Sequence, residues 1–370
     1  AFAALTAGGE ATLIALEKPT PAYADILKRG DYYARQERIE PSVPHFLPPL
    51  PEGAPRNRLG LAEWLLAPSH PLFTRVTVNR MWQEVFGRAL VGSTGDFGII
   101  GDRPSHPDLL DWLAVEFRES GWDVKRFYKL LVTSAAYRQT AQVSPDRLAA
   151  DPDNRLLSRG PRFRMDAEML RDNALAVSGL LVAKQGGPSV KPYQPPGIWE
   201  EVAMPESNTG VYKPGTGEEL YRRSLYTFWK RASAPPSMET FDATSREVVC
   251  TQRARTNTPL QALVTMNDPQ WVEAARKFAE RALKAAPERE RRLDFMARTA
   301  LGRPLEAREI AVLERGLTTF DTRYREAADD VKALLAVGES SVDPSLAPAE
   351  IAAWTLVASQ FLNLDEFLSK

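Results

Sequence analysis

Glu168 and Asp172 are spaced four residues apart in a segment whose apolar residues recur with helical periodicity. On an α-helix this spacing puts both carboxylates on one face, with Cβ atoms roughly 5–6 Å apart. Two carboxylates can act as acid and base when their surroundings keep one neutral and the other ionised. We therefore predict that Glu168 or Asp172 is the acid or base of a hydrolytic site, with Asp242 as a further catalytic carboxylate.

A structural role for the same pair is the alternative, because Arg162, Arg164 and Arg171 surround it in the sequence. In that interpretation, Arg164 and Arg171 bind Glu168 and Asp172 and fix the helix to the loops around it. Structural ion pairs of this kind are common. The residue types and their spacing leave both roles open.

The segment between residues 186 and 256 is rich in aromatic rings and polar side chains, and it predicts a substrate cleft. Flat rings beside arginines and carboxylates suit the faces of sugars, and binding sites favour loops held on a rigid scaffold. The alternative is that these large rings fill a core. The predicted substrate-binding residues are Arg164, Arg222, Arg246, Arg255, Asn257, Gln261, Tyr193 and Trp199.

The one cysteine, Cys250, lies eight residues after Asp242 and four residues after Arg246. If this segment is helical, the three side chains share a face, and the arginine would favour a reactive thiolate. No histidine lies close in the sequence to act as its base. We therefore favour a buried thiol in the core over a nucleophile.

Two predicted helices position these groups. The first covers residues 165–183 and ends at the Gly-Gly-Pro turn that follows. The second begins within "RARTNTPLQALVTMND", where Thr258 is the N-cap, Pro259 is the first helical residue and Gln261 completes a capping box. Asp268 then begins another helix, since it also precedes a proline.

The N-terminus of the second helix is a predicted anion site. Arg253 and Arg255 precede it, and the free N–H groups and dipole of a helix N-terminus favour negative charge. An internal carboxylate, Asp242 or Glu247, could fill this site. An external carboxylate or sulfate of a substrate is the other interpretation.

The composition restricts the partners and cofactors of the chain. Lys and Arg (47) balance Asp and Glu (48), so no overall positive field attracts nucleic acid, and we expect none as a partner. The single cysteine excludes an intrachain disulfide. His45, His70 and His106 are too far apart for a helical zinc site, so we expect neither a metal nor a cofactor in this chain.

Helical periodicity covers residues 56–185 and 257–370, whereas residues 1–55 form an extended strip and a proline-rich connector. Residues 186–256 lose the period, and "RRSLYTFWKR" predicts a short strand there. The fold class is therefore mainly α, a multi-helix globular domain with an irregular, loop-rich insert containing a few short β-strands. We expect residues 56–370 to form one integrated domain.

The first residues carry no recognisable targeting segment. They lack an initiator methionine, a basic region and a long apolar run, so we expect neither a signal peptide nor a membrane span there. The chain is therefore expected to be part of a longer polypeptide.

Several long motifs resemble one family, the domain of unknown function 1553, also called the planctomycete PSD domain. The resemblance extends from about residue 56 to the C-terminus, and the segment before it is similar to the connector that precedes this domain. The motifs include "PRNRLGLAEWLLAPSHPLFTRVTVNRMWQEVFGRALV", "SHPDLLDWLAVEFRESGWDVKRFYKLLVTSAAYRQ" and "SREVVCTQRARTNTPLQALVTMND".

The resemblance implies a location and a general role, since the activity of the family is unassigned. Its members are exported proteins, so the implied location is extracytoplasmic, either periplasmic or secreted. The domain typically follows a second uncharacterised module and often a cytochrome c-like domain in the same polypeptide. The genes that accompany it encode sulfatase-like and carbohydrate-related proteins, which implies a role in polysaccharide breakdown.

Two hypotheses follow for the function. The first is an enzyme or enzyme component that acts on carbohydrate through a cleft lined by the 186–256 insert. The second is a non-catalytic interaction module that docks the upstream modules and positions the cytochrome for electron transfer. The second hypothesis predicts an exposed apolar patch near the N-terminal strip.

Overall fold

The computed structural model describes residues 14–18, 23–204 and 206–370, and this part of the chain is mainly α-helical, as predicted. Its one regular sheet is an antiparallel hairpin of two short strands, β1 (Ala24–Leu27) and β2 (Arg35–Ile39). Fifteen α-helices follow in the described residues. They are α1 (Arg58–Leu66), α2 (Phe73–Phe86), α3 (Pro107–Glu119), α4 (Val124–Thr133), α5 (Pro145–Ala150), α6 (Ala167–Ser178), α7 (Ile198–Val202), α8 (Pro236–Thr240), α9 (Pro259–Asn267), α10 (Pro269–Ala285), α11 (Arg289–Leu301), α12 (Ala307–Glu326), α13 (Ala328–Leu335), α14 (Pro348–Leu362) and α15 (Asp365–Leu368).

The chain divides into two compact units, Ala1–Arg159 and Gly160–Lys370. The boundary falls inside the helical region predicted for residues 56–185. Every predicted site residue lies in the second unit. Among the described helices, none combines the length and the apolar composition needed to cross a membrane.

The core of the first unit forms where α2 packs against α3 and α4. Val78 and Trp82 of α2 face inward at helical spacing, and the Trp82 and Phe86 rings stack with their centroids 3.9 Å apart. Buried Asn79 supports the chain beyond the helix, because its side-chain amide makes two hydrogen bonds to the backbone of Val91, at 3.1 and 2.9 Å. A buried amide is stable only when its polar atoms are bonded in this way.

The core of the second unit is built on α10 and α14, which pack on each other and against α6, α11 and α12. Alanines of both helices, such as Ala279 and Ala353, are fully buried in this core, and such small side chains let packed helices approach closely. Phe278, Trp354 and Phe361 fill the space around them. Helix α14 is apolar on almost every side, which is typical of a helix at the centre of a core.

Helix α6 is shorter than predicted. It ends at Ser178 because Gly179 takes a left-handed conformation, with φ of 79°, and its N–H bonds back to the carbonyl of Ala176. Glycine reaches this conformation without strain and commonly ends helices. The apolar residues after Gly179 continue the helical pattern in the sequence, but they are not part of the helix. Leu181 and Val182 pack against Tyr221 in a small separate cluster.

The short strand predicted for "RRSLYTFWKR" is wrong. Ser224–Tyr226 forms a turn of 3₁₀ helix, and the flanking residues make only isolated bridges, Arg222 with Val182 and Thr227 with Val190. The N–H of Ser224 donates to the carboxylate of Asp172 rather than to a neighbouring strand. A side chain has therefore taken the place of a strand partner.

Candidate functional site

Glu168 is in the first turn of α6 and binds Arg253, which lies 85 residues later in the chain. The guanidinium meets both carboxylate oxygens, with N···O distances of 2.6 and 3.1 Å. Burial raises the pKa of Glu168, but hydrogen bonds from Arg253 and from its own backbone outweigh burial and leave the pKa below its usual value. Glu168 is therefore held ionised, and its partner is not Arg164 or Arg171 as the structural alternative expected.

Asp172, one helical turn later, binds a different segment. Its carboxylate accepts hydrogen bonds from the backbone N–H of Ser224 at 2.7 Å and from Nε of Arg223 at 3.4 Å. The predicted partner Arg171 lies farther away, 3.9 Å from the nearest oxygen of Asp172. The two carboxylates of α6 therefore fasten two separate loops to the helix.

Asp242 supports the start of α9. It has a positive φ of 60°, and its carboxylate accepts hydrogen bonds from the N–H of Thr256 at 2.7 Å and from its hydroxyl at 2.8 Å. Asp242 is thus the internal carboxylate expected close to this helix N-terminus. It binds just before the N-cap, Thr258, rather than the first helical turn.

The predicted capping box at the start of α9 is wrong, although the helix begins where expected. Thr258 is the N-cap and Pro259 is the first residue, but the Thr258 side chain makes no capping hydrogen bond. Gln261 is buried, and its amide donates to the carbonyl of Thr240 and the hydroxyl of Thr256, both at 3.1 Å. The predicted helix start at Asp268 is confirmed, because its side chain caps α10 by accepting from the N–H of Gln270.

Three of the predicted substrate-binding arginines contact neighbouring protein groups. Arg164 donates to the side-chain oxygen of Asn257, itself a predicted ligand, at 2.7 Å. The Arg255 guanidinium lies 4.2 Å from the centre of the Phe163 ring, and the Arg246 guanidinium lies 4.9 Å from the centre of the Trp229 ring. Such cation–π contacts stabilise loops by about 0.5–1 kcal/mol at exposed sites.

Arg222, the fourth predicted arginine, closes a turn. Its guanidinium donates to the carbonyl oxygens of Lys184 and Pro188, both at 3.1 Å, and lies 3.9 Å from the centre of the Tyr226 ring. The glycine-rich turn has no regular structure to satisfy these carbonyls. Arg222 therefore organises the end of the segment that follows α6.

The two predicted aromatic ligands, Trp199 and Tyr193, both contact other groups of the protein. Trp199 is 1% exposed. The centre of its ring lies 4.8 Å from the centre of the Tyr212 ring and 4.9 Å from Nζ of Lys230. The hydroxyl of Tyr193 accepts from the N–H of Glu339 at 2.7 Å. In this arrangement the Trp199 ring forms part of a core and offers no face to a sugar.

Cys250 is exposed, so the prediction of a buried thiol is wrong. The segment is not helical, because Asp242 and Arg246 both have positive φ angles of 60° and 63°. The three side chains therefore do not align on a helical face. The thiol donates to the carbonyl of Gln252 at 3.2 Å.

An open groove of about 520 Å³ adjoins α6, the end of α11 and the last residues of the chain. Asp172 lines it, together with the polar side chains of Asn173, Arg223, Glu366, Ser369 and Lys370. Its apolar lining includes Met169, an adaptable side chain that suits a ligand surface. Of the three predicted catalytic residues, Asp172 is the one that borders this groove.

Residues 57–317 match the family model described as a protein of unknown function (DUF1553), also named PSD1. The chain belongs to this family. The resemblance found in the motifs is confirmed, and the match covers every predicted site residue, although it ends at residue 317 instead of the C-terminus. Comparisons with curated proteins and with solved structures each found no match.

The groove of this DUF1553 chain depends on contacts that the sequence motifs did not reveal. The last residues of the chain pair with the segment before α6, and the backbone groups of Phe163 and Lys370 exchange two hydrogen bonds at 3.1 and 2.8 Å. Lys370 thereby comes to the groove from about 200 residues away in sequence. Since these residues form no local pattern, no sequence signal marked them.

Arg171 is the main buried anchor of the insert in this family member, and sequence reasoning assigned it only to ion pairing. One terminal nitrogen donates to the carbonyl of Arg222 at 2.9 Å and the hydroxyl of Ser224 at 3.1 Å. The other donates to the carbonyl of Leu220 at 2.6 Å and the side-chain oxygen of Gln270 at 3.0 Å. Burial lowers the pKa of Arg171 to about 10, so the side chain remains a cation at neutral pH.

No metal centre accompanies these groups in the described part of the chain. Nowhere among the described residues do three or more His, Cys, Asp or Glu side chains cluster so that they could hold a metal ion. The arrangement offers instead hydrogen-bonding and charged groups around an open groove. Such groups can bind and orient a polar ligand.

Proposed function

We propose that this DUF1553 chain is a saccharide-binding component of extracytoplasmic polysaccharide breakdown, with the saccharide bound in the groove beside Asp172. The observation that carries the proposal is the groove itself. Its volume of about 520 Å³ lies within the usual range of ligand sites, roughly 300–1,000 Å³. Two carboxylates (Asp172 and Glu366), an amide, a guanidinium, a hydroxyl and an ammonium group line it beside apolar side chains, a combination that suits a polyhydroxylated ligand.

Asp172 is the best-placed residue to contact a sugar hydroxyl. A carboxylate offers about four lone-pair sites. Asp172 uses two of them, for Ser224 and Arg223, and its side chain is 18% exposed. In the hydrolytic form of the proposal, Asp172 is the general base. The lowered pKa of Glu168 and its ion pair with Arg253 support an ionised, anchoring role for that residue rather than the role of acid.

The extracytoplasmic location and the polysaccharide role rest on the resemblance to exported modules encoded beside carbohydrate-related genes. Fractionation of the producing cells, followed by detection with an antibody against this chain, measures the location directly. Recovery of the protein in the cytoplasmic fraction alone would contradict that part of the proposal.

The experiment that tests the groove measures saccharide binding by calorimetry and release of reducing ends, across a panel of neutral and charged glycans. Asp172→Asn is compared with wild type and with Asp330→Asn, a matched change at an exposed ion pair with Arg323. We expect Asp172→Asn to weaken binding about tenfold or more, because a charged hydrogen bond is lost. Absence of binding to every glycan, or equal glycan affinities of Asp172→Asn and Asp330→Asn, would contradict the proposal.

A second candidate function is a docking module for the upstream modules of the same polypeptide, the uncharacterised module and the cytochrome c-like domain. The observation that favours it is the hairpin, in which β2 is exposed along its whole length and Ile26 and Ile39 are both more than 40% exposed. A two-stranded hairpin alone is only marginally stable in water. Its exposed apolar side chains suit a partner.

Docking is tested by titrating the separately expressed upstream modules onto this chain. Ile26→Asp and Ile39→Asp should abolish binding, because a charge would be buried in the interface. Val312→Asp, at an exposed position on α12, is the matched control and should bind normally. Equal binding by all three variants would rule out the hairpin as the docking surface.

A further inference from the structure

A small cavity in the second unit is lined by buried polar side chains. Its volume is about 30 Å³, and Arg171, Thr227, Asp268 and Gln270 are among the residues that line it. A cavity needs about 10–15 Å³ of such space to hold one water molecule, so this one suits a ligand of atomic size. It is separate from the saccharide groove, with which it shares no lining residue.

Three side chains that line this cavity carry potential hydrogen-bond donors without a partner in the part of the chain that the structure describes. Nε of Arg171, the amide nitrogen of Gln270 and the hydroxyl of Thr227 are buried and have no partner among the described residues. Arg171 and Gln270 are 7% and 5% exposed. Guanidinium and amide N–H groups can only donate, so their complement is an acceptor.

Arg171 brings a buried positive charge to this cavity. The hydrogen bonds of Arg171 go to uncharged oxygens, and its salt-bridge partner, Asp172, is 3.9 Å away, beyond hydrogen-bond distance. Asp268, which lines the cavity, is a second carboxylate that acts on Arg171, and it accepts the N–H of Gln270 as the cap of α10. Neither carboxylate is hydrogen-bonded to Nε of Arg171, so this buried donor still needs an acceptor.

We propose that this cavity is a binding site for a monatomic anion of the chloride class. Nε of Arg171, the amide of Gln270 and the hydroxyl of Thr227 supply its hydrogen bonds. These donors come from α6, α10 and the insert, so the anion would fasten the insert to the helical core. The site needs no saccharide and does not depend on the proposed function.

The first experiment measures the melting temperature of the whole chain in bromide and in gluconate, at constant ionic strength and pH. Gluconate has the same charge but is too large for the cavity. Once bromide exceeds its dissociation constant, each tenfold increase should raise Tm by about 3–5 °C, whereas gluconate should not.

The variant Thr227→Val preserves the shape of the side chain and removes only a hydroxyl that has no partner among the described residues. We expect it to fold and to lose at least half of the bromide-dependent rise in Tm. Thr318→Val, at an exposed hydroxyl on α12, is the matched control and should keep the full rise. A crystal grown in bromide should show an anomalous peak in the cavity.

Three results would overturn the proposal. One is equal stabilisation by bromide and gluconate, and another is an unchanged bromide effect in Thr227→Val. The third is the absence of an anomalous peak from the cavity, including the case in which bromide is found only at the surface as an adventitious ion or in which water fills the cavity.

Discussion

The α10–α14 pair and the 186–256 insert, two regions of the same unit, are held together in different ways. The helices satisfy their own backbone groups and pack through small and apolar side chains such as Ala279 and Phe361. The insert has little regular structure, so its backbone groups need other partners. Long polar side chains, above all Arg171 and Arg222, supply them.

This difference explains why polar residues with catalytic spacing turn out to be bound to loops. Glu168, Asp172 and Asp242 each receive hydrogen bonds from a segment that lies outside the α-helices. A charged residue beside an irregular segment can therefore support the fold as well as serve chemistry. Asp172 binds the turn at Ser224 and also borders the groove, where the proposed function places its contact with a saccharide.

The largest effect should come from Phe361→Ala in the helical core. Phe361 is fully buried, and removal of a buried phenylalanine ring destabilises proteins by about 3–5 kcal/mol. Urea denaturation measures the loss. Amide hydrogen exchange should accelerate throughout the second unit, because α14 is its central helix. Acceleration confined to the insert would contradict the comparison.

Arg171→Met should have a smaller effect, localised in the insert. It leaves the carbonyls of Leu220 and Arg222 without their donor, which should lower the free energy of unfolding by about 2–4 kcal/mol. Hydrogen exchange should accelerate in the insert before it accelerates in α10 and α14. Arg298→Met, at an exposed ion pair, is the control. Uniform acceleration in Arg171→Met would mean that the insert and the core are one cooperative element.

Glu168→Gln should lower the free energy of unfolding by about 1–2 kcal/mol near pH 7, because the ion pair with Arg253 is lost from a partly buried site. The folded-state pKa of Glu168 is below its unfolded value, so the unfolded chain takes up its proton first as pH falls. The extra stability of the wild type over Glu168→Gln is present above the pKa of Glu168 in the unfolded chain. It disappears as pH falls through the pKa of Glu168 in the folded chain. A difference that grows on acidification would contradict this assignment.

Asp242→Asn should have the smallest effect, below about 1 kcal/mol, since the amide oxygen can still accept from Thr256 and asparagine tolerates a positive φ. If a saccharide activity is found, this variant separates chemistry from support. Full activity in both Asp242→Asn and Glu168→Gln, measured under conditions in which both variants are folded, would remove these two residues from the catalytic assignment. Loss of activity under the same conditions would support their catalytic role.

Much of the fold could be predicted from the sequence, because helices carry local signals. The apolar stripe of α2, the proline at the start of α9 and the cap at Asp268 can all be read within a few residues. The end of α6 was missed for the same reason, since the apolar residues after Gly179 continued the helical pattern while they packed elsewhere.

The candidate site could be predicted only in part. Glu168 and Asp172 were found by their spacing, but their partners lie 85 and about 50 residues away, so no local pattern identified them. The burial of Trp199 and the exposure of Cys250 were equally beyond local sequence, because both depend on which loops fold over them.

The sequence by itself determined the helical class, the starts of α9 and α10 and the family, since periodicity, caps and motifs are all local properties. The tertiary structure alone decided which arginine meets Glu168, how the C-terminus reaches the groove and where unpartnered donors line a cavity. These features join segments that are far apart in the chain. Their partners are selected by packing, and packing is a property of the whole unit.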